Sequence, residues 1–224
     1  MNEKTAQFSL RGLFQPRDLT EGTPWKTILA FALPIIISYL LQQVYTISDA
    51  AIVGQTLTAG EVAGVNDTTS IIFIFLQFAF GVSAGFCVLT AAEVGAHHEA
   101  GVRRSLAAQI LLSAALTVLL TGLALLLLKP MLAWINVTPE SPEVYRAAHT
   151  YCAIIFAGIG AQLFYNFICS FLRSMGDSVT PLLFLLFSTI LNIGLDLLFI
   201  VSFHWGVAGA AIATVAAQLI STVG

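Results

Sequence analysis

Six apolar runs divide the chain, at roughly 27–49, 66–90, 106–128, 146–170, 181–203 and 206–224. Each is close to the ~20 residues that a helix needs to cross ~30 Å of hydrocarbon, so the pattern predicts six membrane-spanning helices. The separators are the stretches a chain uses to turn: Gly54–Gly64, Gly95–Arg104, Lys129–Glu143, Arg173–Thr180 and a short turn at Phe203–Gly206. Within the runs, Gly81 and Gly85, and the AGIGA segment at 157–161, predict surfaces where helices approach closely. In the fourth separator Gly176 reads as a helix stop, with Asp177 or Ser178 as the cap of a helix that restarts ahead of Pro181.

Polar residues interrupt these runs in a pattern. At about 100° per residue, Pro34, Ser38, Gln42, Tyr45 and Asp49 fall in one stripe on the first helix, opposite Ile, Leu, Val and Ala. Polar groups in hydrocarbon need partners, so this stripe must face other helices or a watery cavity. The fifth run repeats the device: Asn192 and Asp196 stand at i and i+4, on one face. Runs one and five cross in the same sense, and Asp49 and Asp196 each follow a proline (Pro34, Pro181) by 15 residues. Thr214 comes eight residues into the sixth run, about 12 Å down that helix. Two carboxyls, an amide and a hydroxyl therefore share one depth, in the half of the membrane away from the N-terminus. A carboxylate at a helix centre costs at least ~2.5–3.5 kcal/mol to insert. Clustered buried carboxylates suit a reversible cation site, for a proton or, with Asn192 and Thr214, for sodium. The plainer reading is a bond to a neighbouring helix, worth ~0.6–2 kcal/mol, and it stands beside the ligand reading for Asn192.

Composition sharpens the class. The chain is 58% hydrophobic and 9% charged, against about 25% charged in soluble domains. Basic residues fall unevenly: Lys4, Arg11, Arg17, Lys26, Arg103, Arg104 and Arg173 on the N-terminal side of the membrane, Lys129 and Arg146 on the other. That bias predicts a cytoplasmic N-terminus, with residues 1–24 as a retained cytosolic leader rather than a signal peptide. Residues 25–224 form the six-helix bundle, and the apolar end at Gly224 leads us to expect a longer protein. Cys87, Cys152 and Cys169 have no metal or disulfide spacing and read as packing residues. His97 and His98 point different ways from a loop and read as solvated rather than metal-binding. His204 and Trp205 read as an interfacial anchor. The phenylalanines at 73, 75, 78, 80 and 86 read as facing lipid or neighbouring helices, while Gln42, Gln43 and Tyr45 are candidates for lining a cavity. No phosphate-binding loop is present, and nothing points to an enzyme, a cofactor or a nucleic-acid partner.

The segments ALPIIISYLLQQVYTISDAAIVGQ (32–55), FLRSMGDSVTP (171–181), LNIGLDLLFI (191–200) and GVAGAAIAT (206–214) resemble the multidrug and toxic compound extrusion (MATE) transporters. The resemblance covers about residues 25–224 and implies an all-α integral membrane protein: the N-terminal six-helix lobe of a twelve-helix transporter with a central cavity. The implied function is export of cationic or amphipathic compounds in antiport with H+ or Na+ across the plasma (inner) membrane. The missing partner would be the C-terminal lobe of the same protein. The implied cation-coupling residues are Asp49, Asn192, Asp196 and Thr214, and Pro34 matches a proline associated with helix bending. Some members carry a further Asn where this chain has Cys169, a weaker hydrogen-bonding group, which leaves open whether Asn166 substitutes. The alternatives are a flippase for lipid-linked precursors of the same superfamily and a non-transporting structural membrane subunit. No Lys or Arg falls centrally in any run, which favours a cationic or neutral substrate over an anionic one. An intramembrane aspartyl protease is disfavoured, because the residues before Asp196 read Gly194-Leu195 rather than Gly-x-Gly.

Overall fold

The computed structural model describes residues 23–223, and every regular element among them is helical. The expected leader, with Lys4, Arg11 and Arg17, lies almost wholly outside the described residues. The helices are α1 (Pro24–Thr56), α2 (Ala59–Gly95), α3 (Glu99–Leu126), α4 (Leu128–Trp134), α5 (Pro142–Ala157), α6 (Ile159–Ser174), α7 (Val179–Asp196) and α8 (Gly206–Val223). A π-helical stretch, Leu197–Ser202, continues α7. Helices α1, α2, α3 and α7 with its extension are each long and apolar enough to cross a membrane. Together α5 and α6 are long and apolar enough for a fifth span if the bent pair crosses as one, and α8 is a shorter apolar helix.

The turns are tighter than the sequence suggests. The expected loop over 54–64 shrinks to Leu57 and Thr58, because Thr58 and Glu61 form a reciprocal capping box that starts α2 at once. The third separator holds the short helix α4, with Pro130 tolerated in its first turn. Between α6 and α7, Gly176 adopts φ +85°, as a helix stop requires. Asp177 is the residue that caps: its Oδ1 accepts the N–H groups of Val179 (3.0 Å) and Thr180 (2.9 Å), and its Oδ2 accepts the Thr180 hydroxyl (2.5 Å).

Lipid tails are as apolar as leucine, so close fit rather than hydrophobicity holds such helices together. Helix α2 packs along α5 and α6, α8 packs against α5, α6 and α7, and α1 lies along α7. The shared core includes Ile71, Leu120, Phe156 and Leu163, with the Phe75 and Phe156 rings 5.0 Å apart. Gly64 lets α2 approach α5 until a Cβ would sit 2.6 Å from the Val144 carbonyl oxygen. Polar bonds join α2 to α3: Gln109 donates to the Phe86 carbonyl (3.0 Å) and to the Thr90 hydroxyl, and the Cys87 thiol donates to Gln109 Oε1 (3.3 Å).

Two expectations need correction. Gly81 and Gly85 have nothing within 4 Å of where a Cβ would stand, so no described helix approaches them. The expected span 146–170 is not straight: α5 and α6 meet at 47° around Gly158. The AGIGA segment explains why. A Cβ on Gly158 would lie 2.3 Å from Val215 Cγ2 of α8, and one on Gly160 would lie 2.9 Å from Thr117 Cγ2 of α3. Neighbouring helices occupy the notch where the span turns.

Candidate functional site

Helix α1 presents Pro34 and Ser38 buried against the bundle, with Tyr45 and Asp49 half-buried further along the same face. Pro34 cannot donate a backbone N–H, and Ser38 Oγ donates to its carbonyl at 2.8 Å. The helix nevertheless runs unbroken from Pro24 to Thr56. Gln42 and Gln43 are exposed, on the flank of α1 that no described helix covers.

Asp49 meets Asp196 of α7, and the two carboxyl groups are direct neighbours. Asp196 is fully buried, as is Asn192 one turn before it. From α8, Thr214 stands beside the Tyr45 hydroxyl, though not in a well-formed hydrogen bond. All four residues expected to share one depth, Asp49, Asn192, Asp196 and Thr214, come from the three helices that pack together here. Asn166 lies elsewhere along the bent span, on α6 beyond the turn, buried and with its Nδ2 unpartnered. Cys169 is buried one turn further on, next to Tyr165.

The hydrogen-bond inventory marks this cluster. Apart from the contact between Asp49 and Asp196 themselves, Tyr45 Oη, Asp49 Oδ1, both polar atoms of the Asn192 side chain, both carboxyl oxygens of Asp196 and Thr214 Oγ1 have no hydrogen-bond partner within the protein. By contrast Ser83, Thr189 and Ser221, also buried, each bond a carbonyl of the preceding turn. A buried polar group left unpaired costs about 1–3 kcal/mol. Five residues with such atoms lie together here, which makes this cluster the candidate site. Two adjacent carboxylates in a low-dielectric setting repel, and a small cation between them removes the repulsion. Oxygens from Asp49, Asp196, Asn192 and Thr214 are donors of the kind that hard cations accept. Among the described residues no group of three or more His, Cys, Asp and Glu is placed to hold a metal ion. His98 instead pairs with Glu93 at 2.7 Å on the exposed surface.

Sequence reasoning missed two features. Tyr151, on α5, is an electrostatic neighbour of Asp49, Tyr45 and Asp196, approaching the cluster from a fourth helix. The π-helical stretch begins immediately after Asp196, and the Phe203 N–H reaches the Leu198 carbonyl at 2.9 Å, five residues back. Such π turns shift helix register and recur at functional sites. A period-3.6 reading of LNIGLDLLFI gives no sign of it.

Comparison with known proteins bears on the family and the fold. The MatE family model matches residues 34–198. The chain is 32% identical over 207 residues to Probable multidrug resistance protein YpnP of Bacillus subtilis (strain 168), covering 90% of this chain and 44% of that protein. It superposes with TM-score 0.83 on the outward-facing conformation of a multidrug resistance transporter of the MOP superfamily, at 26% identity, covering 90% of this chain and 44% of the other. A MOP superfamily transporter from Pyrococcus furiosus, described as having a binding pocket of reversed polarity that suggests a different function, matches with TM-score 0.81 at 26% identity, covering 92% of this chain and 44% of its own. The chain thus spans about half the length of the proteins it matches.

Proposed function

Because the chain belongs to the MatE family, whose members are multi-pass membrane transporters and not enzymes, we propose that it forms the N-terminal lobe of a secondary multidrug exporter. In this reading the lobe exports cationic or amphipathic compounds and is driven by antiport of H+ or Na+. Asp49 and Asp196 hold the coupling ion, and Asn192 and Thr214 complete its ligands. Tyr151 and Tyr45 wall the site, with Gln42 and Gln43 facing the cavity that a second lobe would close. The end bearing Arg103, Arg104 and Arg173 faces the cytoplasm, in line with the excess of basic residues on that side, and the membrane is the plasma (inner) membrane.

The observation that carries the proposal is the contact between the fully buried Asp196 carboxyl and the half-buried Asp49 carboxyl of another helix, ringed by polar atoms without partners. No described Lys or Arg lies in the middle of a span, so the interior favours positive over negative guests. The test is efflux of a cationic dye from cells expressing the complete gene product. Asp196→Asn keeps the shape of the side chain and removes its charge, so it should insert normally and abolish efflux. Efflux at the wild-type rate would defeat the proposal.

A further inference from the structure

Lys129 and Arg146 are the two basic residues left over at the end of the bundle opposite Arg103, Arg104 and Arg173. Although they stand on different helices, both line the same cavity, of about 400 Å³, together with His149, Tyr145 and Thr150. No carboxylate lines it. Glu143 and Glu61 line the neighbouring cavity, which Arg146 and Thr150 also border, and Glu143 accepts the Thr58 hydroxyl there at 2.6 Å. Among the described residues neither Lys129 nor Arg146 takes part in an ion pair or a hydrogen bond, and His149 has only its ring contact with Tyr145, 6.0 Å between centroids. Two unpaired cations, an imidazole and two hydroxyls surround one space whose lining holds no anion. Arg146 also lies near the start of α5, where the helix dipole favours an anion.

The surroundings say where that anion comes from. Helix α4, which carries Lys129, ends at Trp134, 84% exposed, and Leu126 just before it is 81% exposed. An exposed tryptophan is a residue enriched at membrane–water interfaces, beside apolar side chains that suit the acyl region. A cavity lined from the same short helix fits a position near that interface. We propose that it binds the phosphate of an anionic phospholipid. Arg146 and Lys129 hold the phosphate oxygens by charge-assisted bonds, and the Tyr145 and Thr150 hydroxyls add neutral donors. The proposal does not depend on ion coupling at Asp49 and Asp196.

The test compares retention of phosphatidylglycerol and phosphatidylcholine by the purified full-length protein, by native mass spectrometry, with inorganic phosphate as a competitor. Each basic residue at a charged membrane surface is worth about fivefold in affinity. Lys129→Gln with Arg146→Gln should therefore lower the preference for phosphatidylglycerol roughly 30-fold. Lys129→Arg with Arg146→Lys, which keeps both charges, should preserve it and guards against misfolding of the neutral pair. An unchanged preference in the neutral pair overturns the proposal. So does stabilisation by millimolar inorganic phosphate with no preference between the lipids, which would make the ligand a water-borne anion.

Discussion

Replacing Asp196 with valine should make the protein more stable while destroying its transport. Asp196 is fully buried, and apart from the neighbouring Asp49 its carboxyl oxygens have no partner within the protein. An orphaned buried polar group costs about 1–3 kcal/mol, and more when it is charged. Even a buried ion pair can be exchanged for apolar groups of similar size at no loss or with a gain of about 1–4 kcal/mol. Valine is close enough in size to fill the space with little overpacking, and Asp49 loses a repulsive neighbour. The expected gain is about 1–3 kcal/mol, and at roughly 2–4 °C per kcal/mol for a chain of this length the melting midpoint should rise by several degrees. Loss of helical circular dichroism on heating, in lipid nanodiscs, measures it. Thr189→Val is the control, since that buried hydroxyl is already bonded to the Leu185 carbonyl at 2.7 Å and should give no gain. A valine variant less stable than wild type by more than about 1 kcal/mol would refute the reasoning. It would mean that the carboxyl holds the bundle together, as a structural group does.

Two further substitutions probe the packing. Gly158→Ala puts a Cβ 2.3 Å from Val215, so α8 or the bend must shift at a cost of about 1–3 kcal/mol. Gly81→Ala meets nothing within 4 Å and should gain about 0.5–1 kcal/mol from helix propensity, and thermal melts of the two should move in opposite directions. Asp177→Ala removes the acceptor of two backbone N–H groups at the start of α7 and should cost about 1 kcal/mol, read as a lower melting midpoint with dye efflux retained.

The spans were legible because lipid imposes a simple rule: about 20 apolar residues per crossing. The polar stripe on α1 and the Asn192–Asp196 pair were legible for the converse reason, since a charged group in hydrocarbon must face something. What escaped depends on partners far away in sequence. Nothing at Gly158 announces a 47° bend, because the side chain that fills its notch is Val215, 57 positions later. Tyr151 reads as one more aromatic near a helix start until the fold brings it to Asp49. Gly81 and Gly85 misled in the opposite direction: the spacing for close approach is present, and no described helix uses it. The π turn after Asp196 arises in a run whose hydrophobicity is equally compatible with a regular helix.

The central claim is that Asp49 and Asp196 act as one cation site, and a mutant cycle on ion-coupled transport tests it most directly. The complete gene product is reconstituted in vesicles, and dye movement driven by an imposed proton or sodium gradient is measured for wild type, Asp49→Asn, Asp196→Asn and the double variant. If the two carboxyls work as a unit, either single change should lower the gradient-driven rate as far as both together. Independent losses that multiply in the double variant, or a driven rate untouched by either change, would contradict the account.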